Sequence, residues 1–439
     1  MTESRVSVWL KKQPGWVFSL YAITAAFSAY ACMYVYRRTY TAAGFEGFEF
    51  FGMELKTLLI ISQVLGYMLS KFIGIKVVSE MTPERRARTI IRLILAAHFS
   101  LFLFWQIPLP YSILFLFLNG LPLGMIWGLV FSYLEGRRNT ELLGAGLSIS
   151  FIVASGMSRS AGSWVMMEWG VSEFAMPFVT GLIFILPLIF FVWMLNQIPP
   201  PTAADELQRV KRVPMSRAER WAFFRQYAPG ITVLTLSYMG LTAYRDLRDN
   251  YALEIVTAIG FTDDPGIFTR TEIPIAFVIL AVMASIMLIR DNRKALLVNH
   301  YIIAFGFSLI GVSTLLFQNE LINGYWWMVL VGLGSYLGYV PFNCILFDRF
   351  IATFRTMANA GFLIYIADSF GYLSSVGVLL YKNFGQADIS WYHFFLNFSW
   401  FTCGLGLILV TGSYLYFRNQ KQPEEVKQIT PETIENNEK

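Results

Sequence analysis

Positively charged residues within apolar segments are the feature of this sequence that could take part in chemistry. Arg37 and Arg38 close the run FSAYACMYVYRRTYTAAGF, and Arg245 and Arg248 lie in TAYRDLRDNY. A guanidinium group presents a planar fork of donors that suits a phosphate or a carboxylate, so two such groups could hold one anion from both sides. We expect Arg37 and Arg245 to form this site, and the choice between Arg245 and Arg248 stays open. Alternatively, Arg37 or Arg38 reaches the membrane surface along its aliphatic stem, and Arg245 or Arg248 only pairs with an adjacent aspartate.

Four further charged residues lie in or beside apolar segments: Lys71 in GYMLSKFIG, Arg159 in SGMSRSAG, Asp368 in LIYIADSFGY, and Glu272. A charge in the middle of a bilayer costs at least a few kcal/mol, so it must face the protein interior, water or a partner. Lys71 could contact a solute or anchor its helix at the surface. Arg159 could contact the solute or pair with an acid such as Asp368. For Asp368 we favour a counter-charge over a proton-titrating group; if the protein is coupled to protons, Asp368 and Glu272 are the candidates.

Residues of the kind that enzymes and metal sites use are not grouped. The histidines His98, His300 and His393 are far apart, and the three cysteines lie in separate apolar segments. No carboxylate pair or phosphate-binding glycine loop has a catalytic spacing. We therefore expect no enzyme, no metal and no cofactor. The net charge of +5 does not indicate nucleic-acid binding, because the basic residues lie in short loops beside helix ends.

The elements that must hold these residues are long apolar helices. Of the 439 residues, 56% are hydrophobic and 14% are charged, whereas roughly a quarter are charged in soluble domains. Apolar stretches of about 18–25 residues, the length that spans a bilayer, recur along the chain. They predict an all-α integral membrane protein with about twelve transmembrane helices, at residues 16–42, 54–76, 88–106, 110–134, 142–167, 174–197, 229–256, 272–290, 297–317, 324–347, 357–382 and 391–417.

Lysine and arginine concentrate in every second loop, and the other loops are poor in cations and often acidic. Because loops rich in Lys and Arg stay in the cytoplasm, both termini are expected there. The longest hydrophilic stretch, 199–225, begins with three prolines and divides the chain into nearly equal halves. These features predict an N-terminal six-helix bundle (1–198), a central cytoplasmic loop (199–228), a C-terminal six-helix bundle (229–418) and a cytoplasmic tail (419–439).

Several segments are similar, in order along nearly the whole chain, to motifs of a known transporter family. GIKVVSEMTPERRAR resembles a cytoplasmic signature that follows the second helix, and RDNRKA resembles its echo in the second half. GYMLSKFIG, SYLGYVPFN and FGYLSS are similar to the second, tenth and eleventh helices. Together they resemble the organophosphate:phosphate antiporter family of the major facilitator superfamily, which contains glycerol-3-phosphate and hexose-6-phosphate transporters. The resemblance implies the fold of that superfamily, with two six-helix bundles around a central solute site.

The resemblance also implies roles for particular residues in that site. Arg37 would be the arginine that binds the substrate phosphate, with Arg38 in place of a lysine that follows it. Lys71 would be the lysine of the second helix. The aromatic-rich first helix and the tenth and eleventh helices would supply tyrosines that line the cavity: Tyr34, Tyr339 and Tyr372.

The cytoplasmic signature implies a gating motif formed by Gly74, Glu80 and Arg85, with Glu80 where an aspartate is usual. The chain departs from the family in two places. The histidine of the fifth helix has no counterpart, and Arg159 lies nearby instead. The segment YRDLRDNY is more charged than the family pattern, and Asp368 is an additional acid, which could mean a different or larger anion.

These observations predict a secondary transporter that moves a small anionic, phosphorylated organic solute by alternating access, with inorganic phosphate as the exchanged ion. One alternative is a proton-coupled carrier or exporter of another anionic or amphiphilic solute. A second alternative, from another class, is a non-transporting membrane sensor. We expect a monomer, the usual state for this architecture. Because no cleavable targeting segment is apparent before the first span near Trp16, we expect the protein in the lipid bilayer of the inner (plasma) membrane.

Overall fold

The computed structural model describes residues 4–79, 81–135, 137, 139–201, 217–261, 264–354 and 360–420. The first half of the chain forms α1 (Arg5–Lys11), α2 (Gly15–Arg38), α3 (Leu55–Ser79), α4 (Pro83–Gln106), α5 (Ile113–Leu123), α6 (Ile126–Phe131), α7 (Thr140–Trp169) and α8 (Met176–Asn196). The second half forms α9 (Arg217–Asn250), α10 (Ala252–Ala258), α11 (Ile267–Met287), α12 (Asn292–Gln318), α13 (Gly324–Cys344), α14 (Leu346–Phe354), α15 (Ala360–Gly385) and α16 (Trp391–Asn419). A 3₁₀ turn (Thr39–Ala42) continues α2, and β1 (Glu49–Phe50) pairs with β2 (Met53–Glu54) before α3.

The described helices confirm an all-α, multi-pass membrane protein. Ten spans, one of them formed by α5 with α6, are long and apolar enough to cross a bilayer, and α13 with α14 adds a further span bent by 47°. Helix α9 has 34 residues, which is long enough to cross at 1.5 Å per residue. Its apolar stretch is interrupted near its end by two arginines and two aspartates. With α9 included, the helices agree with the predicted number of about twelve.

Local sequence signals set several helix ends. The side chains of Asp291, Asn323 and Ser390 each accept a hydrogen bond from a backbone N–H in the first turn of α12, α13 and α16, respectively. These are N-cap contacts, which satisfy donors that the helix itself leaves free. Gly170 follows α7 with φ of 62°, the left-handed conformation that glycine adopts without a steric penalty. The long helices therefore begin and end at residues suited to those positions.

The two halves of the molecule meet along two pairs of helices, α7 with α11 and α3 with α15. Helices α2, α7 and α9 all end on the side of the membrane opposite the chain termini, which we call the distal side. At Gly156 of α7 a Cβ atom would overlap the carbonyl oxygen of Phe268 in α11. The absence of a side chain at Gly156 thus allows the halves to touch backbone to backbone on the distal side.

Candidate functional site

Ten charged side chains lie in the interior between the two halves, and we call them the central cluster. Each of these residues is at most 4% exposed. Helices α2, α3 and α7 supply the members from the first half, and α9, α11 and α15 supply the others. The central cluster comprises Arg37, Arg38, Lys71, Arg159, Arg245, Asp246, Arg248, Asp249, Glu272 and Asp368.

The ends of two helices position most of the arginines. Arg37 and Arg38 are the last two residues of α2, and Arg245 and Arg248 lie in the last two turns of α9. A helix carries partial negative charge at its C-terminus, so cations are favoured there. Both helices thus direct their arginines into the interior from the distal half of the membrane.

Arg37 lies among tyrosine rings. Its Cζ atom is 3.8 Å from the ring centre of Tyr67, 5.6 Å from that of Tyr34 and 5.4 Å from that of Tyr372. Its Nη2 atom donates a hydrogen bond of 3.3 Å to the hydroxyl of Tyr372, which belongs to the other half. Among the described residues, no carboxylate forms an ion pair with Arg37.

Arg245 and Arg38 share one carboxylate. Asp246 Oδ1 accepts hydrogen bonds from Arg38 at 2.8 Å and from Arg245 at 3.1 Å. Its Oδ2 atom accepts one from Ser375 at 3.0 Å. Arg38 also donates to Asn250, and the Cζ atom of Arg245 lies 3.9 Å from the ring centre of Tyr339. Arg38 and Asp246 come from different halves, so this pair joins α2 to α9.

Two arginines and two carboxylates form a second set closer to α11. Arg248 contacts Glu272 Oε1 at 2.7 Å and Asp249 Oδ1 at 3.5 Å. Arg159, from the first half, lies 3.6 Å from both Asp249 and Glu272 and donates to the main-chain oxygen of Asp249 at 2.7 Å. Ser155 donates to Asp249 Oδ2 at 2.9 Å. Within this set the positive and negative charges are equal in number.

The remaining pair joins α3 to α15. Lys71 Nζ lies 2.9 Å from Asp368 Oδ2, and both side chains are buried. The other oxygen of Asp368 accepts from the Tyr238 hydroxyl, which in turn accepts from Asn343 at 3.2 Å. Asp368 therefore stands as the counter-charge of Lys71, with both carboxylate oxygens bonded.

Taken together, the central cluster has six cations and four carboxylates. Lys71 with Asp368 is balanced, and so is the set of Arg159 and Arg248 with Asp249 and Glu272. The surplus of two positive charges lies with Arg37, Arg38 and Arg245, which have only Asp246 among the described carboxylates. An unpaired charge in so buried a place is costly.

The structure brings together every residue that the sequence assigned to the solute or to coupling: Arg37, Arg245, Lys71, Tyr34, Arg159, Tyr339, Tyr372, Asp368 and Glu272. Arg37 and Arg38 are 2% exposed and so do not extend to the membrane surface. Lys71 likewise is not a surface anchor. The acids that face Arg159 are Asp249 and Glu272, not Asp368, because α15 places Asp368 against α3 instead of α7.

Several contacting residues were missed by sequence reasoning. Tyr67 lies one helical turn before Lys71, and this i, i+4 spacing could have identified it, since it puts both on one face of α3. Ser155, four residues before Arg159 in the sequence, was not missed: it accepts a hydrogen bond from that arginine at 3.2 Å. Tyr238 and Asn343 carry no comparable signal, because their link to Asp368 depends on how the helices pack.

The gating motif stays a prediction. Gly74 is buried in α3, where an added Cβ would lie 3.0 Å from Met125 Cγ. Arg85 is exposed in the first turn of α4. Glu80 lies outside the described residues.

Several solved transporters have a similar fold. The chain is similar to the nucleoside transporter NupG, in a mutant form, with 12% identity, a TM-score of 0.56, and coverage of 91% of this chain and 99% of that chain. It is similar to a D-xylose–proton symporter with 12% identity and a TM-score of 0.58, covering 93% and 98%. It is also similar to the peptide transporter POT, a mutant in complex with sulfate, with 16% identity and a TM-score of 0.58, covering 92% and 96%. No curated protein sequence matches the chain.

The helices and these likenesses define an all-α membrane protein with the major facilitator superfamily fold. Within it, the chain belongs to the family of unknown function designated DUF5690, whose profile matches residues 39–420. The similar structures named above are transporters. The narrower resemblance to organophosphate:phosphate antiporters stays a prediction.

Proposed function

We propose that this protein is a secondary transporter that carries a small anionic, phosphorylated solute by alternating access. The observation that carries the proposal is Arg37, a buried cation between the halves that has no ion-pair partner among the described residues. Its surroundings are tyrosine rings and one hydroxyl. We expect such a group to bind an anion that associates and dissociates during the transport cycle.

The position of the cations suits a site that both halves share. Arg37 belongs to the first half and Arg245 to the second, and each lies on the face of a tyrosine ring. A ring on one face leaves the N–H groups at the guanidinium edge directed elsewhere, where they can form two parallel bonds to a phosphate. An anion held by both arginines would draw the halves together, which favours the occluded state in an alternating-access cycle.

Exchange against inorganic phosphate is the form of transport that we propose, because the same two arginines could hold either the solute or phosphate. The test is uptake of labelled phosphate into proteoliposomes preloaded with phosphate. We expect exchange in the wild type and its loss in Arg37→Ala and in Arg245→Ala. Exchange that survives both substitutions would contradict the assignment of these arginines.

The matched control is Arg270→Ala. Arg270 is also an arginine of the second half, but its side chain is 58% exposed and pairs with Asp264 at the surface. Its removal should leave the exchange unchanged. A folded wild-type protein that exchanges no phosphate would instead overturn the phosphate-linked function.

A proton-coupled carrier is the second candidate, and the contact between Lys71 and Asp368 favours it. This pair links the two halves at 2.9 Å, so protonation of Asp368 would release a contact that holds α3 to α15. The discriminating result is uptake that a pH gradient drives and that Asp368→Asn uncouples, without phosphate exchange.

We further propose that the protein lies in the inner membrane with both termini in the cytoplasm, on the basis of the positive loops.

A further inference from the structure

We infer that the solute bound in the central cluster carries two negative charges, and that monoanions are poor ligands. The inference rests on the proposed function, because it concerns the anion that Arg37 and Arg245 would hold. It goes beyond that function by naming the charge of the ligand.

The two balanced parts of the central cluster have no net charge that a ligand could neutralise. Lys71 Nζ and Asp368 Oδ2 are 2.9 Å apart. Arg159 and Arg248 face Asp249 and Glu272 at 2.7–3.6 Å. A further cation nearby, Lys56, is also matched, since its Nζ atom lies 2.6 Å from Glu254.

The surplus is therefore confined to the three arginines around Asp246. Three guanidinium groups with one carboxylate leave two positive charges, in residues that are at most 3% exposed. Arginine keeps its proton at any ordinary pH, so the protein cannot remove this charge by titration. A monoanion would leave one buried cation uncompensated, whereas a dianion would neutralise the group.

The free donors of the group also suit an ion with several oxygens. Arg37 makes one hydrogen bond to a described side chain, to Tyr372, and Arg245 makes one, to Asp246. Each guanidinium has five N–H donors. Most of these donors therefore stay available for a tetrahedral dianion with three terminal oxygens, such as the dianionic form of a phosphate monoester.

The test compares methyl phosphate with methyl sulfate, which have nearly the same shape but differ in charge. A phosphate ester gains its second charge with a pKa of about 6, and methyl sulfate keeps one charge throughout. Binding of each to the purified full-length protein is measured by calorimetry and by thermal stabilisation between pH 5 and 7.5. Methyl sulfate also reports any effect of titrating groups of the protein itself.

At pH 7.5 we expect methyl phosphate to bind about tenfold or more tightly than methyl sulfate, a factor that corresponds to ~1.4 kcal/mol. The ratio should fall towards one at pH 5, as methyl phosphate loses its second charge. Equal binding of the two ions at pH 7.5 would overturn this inference and leave the proposed anion transport standing. A folded protein that binds neither ion overturns both.

Substitutions at the adjacent pair Arg245 and Asp246 test the charge count itself. Arg245→Gln lowers the surplus to one, and the preference for methyl phosphate should disappear. Asp246→Asn raises the surplus to three, and the preference should persist or grow. The double variant restores a surplus of two, so the preference should return although both side chains have changed.

A double variant that behaves like Arg245→Gln would show that shape, not charge, sets the preference, and would overturn the inference. Arg270→Gln removes an exposed arginine outside the cluster and should keep the wild-type ratio. Thermal unfolding of each variant shows whether it is folded before binding is compared.

Discussion

Arg37 shows how a cation can be kept within a membrane protein without a counter-ion among the residues that the structure describes. The ring of Tyr67, 3.8 Å from its Cζ atom, offers a cation–π contact, which is worth about 2 kcal/mol in a desolvated place. Removing a charge from water costs several kcal/mol even after relaxation. The rings therefore reduce the cost without removing it, and the remainder is available to favour an anion. Arg38, by contrast, donates hydrogen bonds to Asp246, at 2.8 Å, and to Asn250.

From the Lys71–Asp368 pair we predict how substitutions change the thermal stability of the protein. Each single variant, Lys71→Met or Asp368→Asn, leaves an uncompensated buried charge, and such a loss costs about 3–5 kcal/mol. The double variant removes both charges and should unfold at a higher temperature than either single variant. Thermal unfolding in detergent measures this order. If Lys71 contacted only the solute, the changes in unfolding temperature caused by the two single variants would instead add up in the double variant.

At the scale of the helices, length and apolarity predicted most of the fold, because the ability to span a bilayer is a property of a local segment. The predicted span 391–417 is α16, Trp391–Asn419, and 174–197 is α8, Met176–Asn196. The bend between α13 and α14 was not predicted, although Pro341, one turn before it, is a residue that disrupts helices. The 3₁₀ turn and the hairpin β1–β2 were not predicted either, since they are too short to have a periodic pattern.

The candidate site was predictable only in part. Charged residues in apolar segments stand out in the sequence, so Arg37, Arg245 and Asp368 could be named. Their partners could not, because Lys71 and Asp368 are 297 positions apart and meet only through the packing of α3 on α15. Likewise, the acids that contact Arg159 could not be named, because they are set by how α7 packs against α9 and α11.

From the contact of Gly156 in α7 with α11 we predict how a larger side chain changes the distance between the halves. In Gly156→Val the side chain would overlap Phe268 and lie 2.8 Å or less from Glu272 Cγ, so the halves should separate on the distal side. Spin labels at Glu168→Cys and Glu320→Cys, both exposed on that side, measure the separation. The label experiment uses a background without Cys32, Cys344 and Cys403.

The control for this variant is Gly66→Val, whose side chain would overlap the carbonyl oxygen of Phe117 within the first half. It should lower the unfolding temperature but leave the distance between the labels unchanged. Equal distances in Gly156→Val and the wild type would contradict the proposed contact between the halves.

In the whole molecule, the described structure is closed on the distal side by contacts between the halves. Lys56 contacts Glu254 at 2.6 Å, Thr57 contacts the Tyr251 hydroxyl at 2.6 Å, and Glu54 accepts from Trp391 at 3.0 Å. Within the second half, the ring of Tyr251 stacks on that of Trp391 with centres 3.5 Å apart. A transporter that exposes its site to the distal side must break the three contacts between the halves together.

Weakening this closure should shift the population of the two states. Glu254 is 27% exposed at its side chain, so its pair with Lys56 is worth at most about 1 kcal/mol after screening by solvent. The variant Lys56→Met/Glu254→Gln should therefore raise the ratio of distal-open to distal-closed molecules by up to about fivefold, seen as a longer distance between labels at positions 168 and 320. Breaking the Arg270–Asp264 pair by Arg270→Gln, which removes an ion pair within one half, should not change the distances. If both variants shift the distances alike, surface charge and not the contact between the halves controls the closure. If neither does, the hydrogen bonds of Thr57 with Tyr251 and of Trp391 with Glu54 hold the distal side closed without Lys56.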